Sequence, residues 1–259
     1  MILVQITDPH LSVEAGELWG GYEPDFAFAA VLEAVARLVP QPDLVLFTGD
    51  LTETGAPAEY ANFLRLAGAL PLRKAAIPGN HDRHAAFATA LADTDVAIGT
   101  LPRLHLVIDD LPLRVIALDS VADGESRGRL DPADLDWLAA QLDAAPERET
   151  AVFLHHPPFA NGIPFSDREI CRGADGIGAL LARHPQVIGL GSGHVHRAVR
   201  TMVGGVPAWI APSVAWEVPL DLSPDAGPRL TPQNPAFMVH VHTPGAPLVS
   251  HAAFLPGLF

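Results

Sequence analysis

Apolar residues along this chain fall into two rhythms. Short runs at Ile2–Thr7, Asp43–Thr48, Lys74–Ile77, Leu104–Ile108, Arg114–Leu118, Ala151–Leu154 and Val187–Leu190 have the length of strands. Several are apolar at successive positions, as strands buried on both faces are. Between them, Phe28, Val31, Leu32 and Val35 follow the 3.6-residue period, as do Tyr60, Phe63, Leu64 and Ala67 after Pro57. Asp131-Pro132 reads as an N-cap and first helical residue ahead of Leu135, Leu138 and Leu142. Arg83 and His84 are expected to begin a further helix, with His84 facing solvent. Strand–helix alternation predicts a layered α/β fold; the length suits one large domain or two small ones, and one domain over 1–259 is expected.

Residues 205–236 break the rhythm. Pro207, Pro212, Pro219, Pro224, Pro228, Pro232 and Pro235 fall within them. That density excludes a long helix or a central strand. The expectation is an excursion: a plain surface loop, a cap over the site, or an oligomer contact. Phe237–His242 predicts a last strand.

Composition narrows the class. Over 259 residues, 49% are apolar and 18% charged. The charged share lies below the usual ~25%, which argues against long disorder and coiled coil. Asp plus Glu number 30 against 16 Lys plus Arg, a net charge of −14. Such a surface repels nucleic-acid polymers and anionic lipid, so a phosphate-bearing substrate needs local positive charge, which bound metal ions can supply. Cys171 is the one cysteine; it excludes an intrachain disulfide and thiolate clusters, and fits a cytoplasmic location. No signal peptide is read at the start, and no apolar run reaches the ~20 residues of a membrane span.

The chemistry follows the strands. Asp8-Pro9-His10, Gly49-Asp50, Gly79-Asn80-His81-Asp82, His155-His156-Pro157-Pro158 and Gly193-His194-Val195-His196 each come directly after an apolar run. Ligands of α/β sheets bind beyond the carboxyl ends of strands, so five strand ends can deliver oxygen and imidazole donors to one crevice. Asp and His suit borderline divalent ions. With no cysteine in the set, a closed structural zinc site is not expected. If the backbone is extended, the alternate side chains of Asp8-Pro9-His10 and His194-Val195-His196 point the same way. The glycines before Asp50, Asn80 and His194 permit close backbone approach.

In order and residue type these motifs resemble those of the calcineurin-like metallophosphoesterases, across roughly residues 1–200. Within that superfamily the chain looks most like the class III cyclic nucleotide phosphodiesterases, the nearest type being the bacterial glycerophosphodiesterases of that group. Leu18-Trp19-Gly20, the stretch Asp50–Tyr60 and Asp221-Leu222-Ser223-Pro224 support this. The resemblance implies a four-layer α/β/β/α sandwich with a small C-terminal cap or oligomerisation segment. It also implies two divalent ions per chain (iron, manganese, zinc or cobalt). One would take Asp8, His10, Asp50 and His196; the other Asp50, Asn80, His155 and His194, with Asp50 shared. His155 is preferred to His156 as the His of a His-x-Pro unit.

The implied activity is hydrolysis of a small-molecule phosphodiester, a 3′,5′-cyclic nucleotide or a glycerophosphodiester, by hydroxide held between the ions. His81 would assist the leaving group as catalytic residue. Asn80, His81 and His156 would face the substrate, and Asp82 would orient a histidine. A homo-oligomer is implied as well. Some relatives carry a Ser-Thr-x-His-Gln-like stretch after the last metal motif, where this chain has Ser213-Val214-Ala215-Trp216-Glu217; a substrate-side histidine is thereby replaced by Trp216. A phosphomonoesterase and a non-catalytic scaffold are the alternative readings. His105, His184, His240, His242 and His251 are expected to be ordinary structural residues, and Asp119-Ser120 a support of the cleft.

Overall fold

The computed structural model describes residues 1–13 and 23–257. The Leu18-Trp19-Gly20 signature lies outside them. In chain order the elements are β1 (Ile2–Ile6), α1 (Pro24–Ala36), β2 (Leu44–Thr48), α2 (Pro57–Ala67), β3 (Lys74–Ile77), α3 (His84–Leu91), β4 (Val96–Ala97), β5 (Leu106–Ile108), β6 (Arg114–Leu118), α4 (Pro132–Asp143), β7 (Thr150–Leu154), α5 (Ile177–Leu181), β8 (Val187–Ser192), β9 (Val199–Val203), β10 (Val206–Ile210), β11 (Ala236–Val241) and β12 (Val249–Phe254). They form two six-stranded sheets, ordered β12-β11-β1-β2-β3-β4 and β5-β6-β7-β8-β10-β9. β1, β2, β3 and β4 run parallel in one sheet and β6, β7, β8 and β10 in the other; antiparallel pairings add β11 and β12 at one edge of the first and β5 and β9 at the two edges of the second.

The continuous apolar runs are explained by layers on both sides. In β1 and β2, Val4, Ile6, Val45 and Phe47 pack under α1, α2 and α3 with Phe28 and Phe63. The intervening Leu3, Leu44 and Leu46 meet Val115, Ala117, Phe153 and Trp209 of the other sheet. On the far side of that sheet, Ile116, Leu118, Val152 and Leu154 pack against Leu138 and Leu142 of α4. Three cores between four layers make the α/β/β/α sandwich. Gln5 pins the two sheets together: its amide donates to Thr48 Oγ1 (3.0 Å) and Ser192 O (3.1 Å), and its oxygen accepts the Trp209 indole N–H at 2.8 Å. Every polar atom of this buried side chain is thereby satisfied.

Helix starts follow local chemistry. Pro24, Pro57 and Pro132 each open a helix, where their missing N–H costs nothing. Asp134 accepts the Asp131 amide at 2.7 Å, and Glu59 accepts that of Ala56 at 3.1 Å, satisfying orphan donors ahead of the first turn.

The Pro-rich stretch corrects one expectation. Val206–Ile210 is an inner strand, between β8 and β9, despite Pro207. The ladder to β8 begins only at Ala208, so the missing N–H of Pro207 breaks no bond there. The stretch from Glu217 to Thr231 is closed by one antiparallel bridge between those two residues.

Candidate metal centre

The carboxyl ends of β1, β2, β3, β7 and β8 converge, and the seven expected ligand side chains converge with them. How the chain turns there differs from the extended backbone expected. Asp8, His10, Asp50, His194 and His196 are the five described non-glycine residues with positive φ, between 48° and 68°. Left-handed backbone costs about 1–2 kcal/mol for an L-residue, and such strain gathers at functional sites. The left-handed turns, rather than strand alternation, bring Asp8 and His10, and again His194 and His196, to one point. Close approach does the rest. A Cβ on Gly79 would lie 2.2 Å from Asp50 Oδ1, and one on Gly49, at φ +97°, 2.4 Å from the His155 ring.

Three imidazoles are anchored from behind. His10 Nδ1 meets Glu53 Oε2 at 2.7 Å, His155 Nδ1 the Thr48 carbonyl at 2.8 Å, and His196 Nδ1 the Trp216 carbonyl at 3.0 Å. Each outer nitrogen donates to an oxygen, so each Nε2 is the atom turned inward, the usual preparation of a metal-binding histidine. The inward atoms meet two buried carboxylates. His196 Nε2 lies 3.2 Å from Asp8 Oδ1, His155 Nε2 3.2 Å from Asp50 Oδ2, and His10 Nε2 3.6 Å from that same oxygen. His10 and His196 face each other Nε2 to Nε2 at 3.1 Å, the separation of two nitrogens each about 2.1 Å from one cation. His155 Nε2 is buried and makes no hydrogen bond. Inward-turned ring nitrogens around two buried carboxylates fit a cation better than they fit one another.

Electrostatics agree. Burial pushes Asp8 up, but His196 and His155 outweigh it and hold its carboxyl at about 2. Asp50 is likewise held well below the carboxylate range, burial being overcome by His155 and His81. His155 is raised to about 9: burial opposes the charge, and Asp50 and Asp8 demand it. Burial and the neighbouring His155 lower His194 to about 3. Two buried anions thus call for positive charge between them.

Asp8, His10, Asp50 and His196 offer ligand atoms within 4.8 Å of one another, and so do His155, His156 and His194. The first set is the one expected for one ion. Asn80 stands beside the second, its side-chain oxygen 3.1 Å from His156 Nε2.

His156 itself was expected on the substrate side, and the structure corrects this. It is fully buried. Its Nε2 donates to Asn80 Oδ1 and to the Ser126 carbonyl, and its Nδ1 accepts from Ser120 Oγ at 2.9 Å. With both nitrogens engaged it orients Asn80, and burial together with His194 keeps it neutral. His155 is the member of the pair that turns inward.

Asp82 orients no histidine among its described bonds. It accepts the amides of Leu51 and Gly79 and the hydroxyls of Thr52 and Tyr60, locking the turns after β2 and β3 together. The orienting carboxylate is Glu53, which none of the strand-end motifs contains. Its side chain holds His10, and its backbone carbonyl takes His81 Nδ1 at 2.8 Å. The parallel bridge between Leu11 and Thr52, with the Glu53 amide donating to the Leu11 carbonyl at 2.9 Å, brings it there. His81 is partly open to solvent at 36%; burial lowers its pKa, but Asp50 and Glu53 prevail and raise it.

Trp216 is 5% exposed and packs on His10, with ring centroids 4.9 Å apart. His84, expected in solvent, is clasped between Asp119 and Asp123. His240 and His242 are buried, His242 meeting Glu149 at 2.7 Å. Cys171 is buried.

Residues 1–198 match the calcineurin-like phosphoesterase family, Metallophos. The chain belongs to that family. It is 33% identical over 256 residues to a probable glycerophosphodiester phosphodiesterase, GpdQ, of Arcobacter nitrofigilis, covering 98% of this chain and 93% of that one. Against the 3′,5′-cyclic adenosine monophosphate phosphodiesterase CpdA of Escherichia coli it is 33% identical over 195 residues, 75% of this chain and 69% of the other. Among solved structures, a dimetal phosphatase from Danio rerio superposes with a TM-score of 0.73 at 13% identity, covering 96% and 98% of the two chains; at that identity the likeness shows the fold. The family and the sandwich inferred from the motifs are therefore found. Among the described residues no helix is long and apolar enough to cross a membrane.

Proposed function

We propose that this protein is a metal-dependent phosphodiesterase acting on small organic phosphodiesters, with 3′,5′-cyclic nucleotides and glycerophosphodiesters as the substrate classes. The observation that carries this is the convergence of inward-facing imidazole nitrogens on two ionised, buried carboxylates. Asp8, His10, Asp50 and His196 would hold one divalent ion; Asp50, Asn80, His155 and His194 the other. Iron, manganese, zinc and cobalt all suit this donor set. Bound there, the ions would supply Lewis acidity toward the phosphoryl oxygens and lower the pKa of the attacking water.

The chain's own groups do the rest. Glu53, Thr48 and Trp216 hold three rings by their outer nitrogens. His156 holds Asn80. His81 stands at the mouth of the site with Nδ1 engaged by the Glu53 carbonyl, so Nε2 is the atom that can carry a proton to a leaving alkoxide. The named activities of GpdQ and CpdA support the substrate class. The −14 charge argues against a polymeric nucleic-acid substrate. We further infer a cytoplasmic homo-oligomer, with the exposed Leu220, Leu222 and Leu230 of the Pro-rich stretch as its contact.

Chelation is expected to abolish hydrolysis of bis(p-nitrophenyl) phosphate, cyclic AMP and glycerophosphoethanolamine, and divalent ions to restore it. Full turnover by protein shown to be metal-free by elemental analysis would overturn the proposal. Faster turnover of p-nitrophenyl phosphate than of every diester would make it a monoesterase.

A further inference from the structure

One wall of the cleft in front of His81 is built by the segment that follows β6. Asp119, buried at the end of that strand, accepts the amides of Leu104 and Val121 at 3.0 Å each, and His84 Nε2 at 2.7 Å. The other nitrogen of that ring, Nδ1, meets Asp123 Oδ1 at 2.9 Å. An ionised carboxylate only accepts, so both bonds require hydrogen on both nitrogens. The ring is an imidazolium: the Asp119 hydrogen bond outweighs burial and, with Asp123, raises its pKa to about 9. His84 is the first residue of α3. It therefore bolts both the root and the tip of the wall to that helix.

The far end of the wall is fixed too. Ser126 O accepts His156 Nε2 at 3.2 Å, and a Cβ on Gly128 would lie 2.5 Å from the His156 ring. The segment cannot approach or leave the site at that end without disturbing His156 and, through it, Asn80.

Val121, Asp123 and Gly124 face Thr54, His81 and Arg83 across a space of about 270 Å³. That is below the ~300–1,000 Å³ of sites for drug-sized ligands, so it suits a small arm. Its lining offers both hydrogen-bond polarities. Among the residues that line it, Arg83 carries a donor group and Asp123 a carboxylate acceptor held in place by His84. A hydroxyl group both donates and accepts, whereas an aryl or alkyl arm uses neither.

We propose that this space is the subsite for a hydroxyl-bearing alcohol arm of the diester, glyceryl being the simplest, and that His84 is the positioning residue that sets its width. The assignment rests on the phosphodiesterase reading above. It goes beyond that reading by naming which arm is recognised and by which wall.

The test uses the full chain reconstituted with metal. It measures kcat and KM for bis(glyceryl) phosphate and for bis(p-nitrophenyl) phosphate, and amide hydrogen exchange over residues 120–128. In His84→Ala, KM for the glyceryl diester rises about tenfold, the worth of one hydrogen bond. Metal content stays unchanged, and kcat for the aryl diester stays within about threefold of the parent. Exchange over the wall speeds up about tenfold or more. His84→Arg, which keeps a two-pronged cation, recovers part of both the KM and the protection. Asp123→Ala, at an exposed position that does not endanger folding, also raises the glyceryl KM and speeds exchange. Equal losses on both diesters, or unchanged exchange and KM in both alanine variants, overturn the proposal. If the parent protein hydrolyses no diester at all, the phosphodiesterase reading fails and the subsite falls with it; exchange then judges the role of His84 alone.

Discussion

Gly49 offers a quantitative test of how tightly the site is built. It precedes Asp50 with φ at +97°, and a Cβ there would sit 2.4 Å from His155 Nδ1, 2.6 Å from Cγ of that ring and 2.9 Å from Gly79 Cα. Two separate costs follow for Gly49→Ala. The backbone term, an L-residue forced to positive φ, is about 1–2 kcal/mol. The steric term is overpacking of a closed interior, about 1–3 kcal/mol. The second falls mainly on His155, whose ring is fully buried and tied to the Thr48 carbonyl. Their sum, about 2–5 kcal/mol, corresponds to a fall in Tm of about 5–15 °C at this chain length.

His155→Ala removes the ring and with it most of the collision, but leaves the backbone term. In that background Gly49→Ala should therefore cost about 1–2 kcal/mol less than in the parent, a coupling typical of residues in contact. The assay is denaturant unfolding of all four proteins in excess chelator, so that lost metal affinity does not enter. If the two substitutions add within about 0.5 kcal/mol, the ring is not where the structure places it, and the geometry of the centre as described is wrong.

Other outcomes are expected elsewhere in the site. Glu53→Ala should weaken metal affinity about 10–100-fold, the usual cost of removing a carboxylate behind a ligating histidine, as read by titration calorimetry; unchanged affinity would reduce Glu53 to a bystander. His81→Ala should retain its metal, by elemental analysis, while kcat on a diester with a poor leaving group falls about 10²–10⁴-fold; normal turnover would remove the proton-donor role. His84 should make stability pH-dependent. Its folded pKa is about 9, raised first by Asp119, so the contribution is complete below its unfolded pKa near 6.5 and is lost as pH rises through 9. Because Asp123 is exposed, the amount is about 1–2 kcal/mol. Thermal melts of parent and His84→Gln between pH 6 and pH 10 should converge at the high end, and a constant gap would refute the linkage.

The residue types and their order were enough to pick out the side chains that the fold brings together. Asp8, His10, Asp50, Asn80, His155, His194 and His196 are each placed by a strand end, and a buried parallel strand is legible as an unbroken apolar run. The layered α/β class was legible in the same runs, and the four-layer sandwich was implied by the family resemblance. Val4 and Ile6 serve one core and Leu3 the other, and a sheet covered on both faces asks for apolar residues on both sides of β1, with Gln5 the one polar exception.

Sequence periodicity carries local information, so what depended on distant neighbours was not visible in it. β10 passes through Pro207 as an inner strand because the register with β8 starts one residue later, a fact about β8 as much as about Pro207. The left-handed turns that aim the ligands, the engagement of both nitrogens of His156, the capture of His10 by Glu53 and the clasp on His84 are likewise set by contacts between segments far apart in the chain. Such contacts leave no trace in spacing, because a hydrogen bond needs only that its two atoms meet at about 2.9 Å, and the fold, not the order of residues, decides which atoms do.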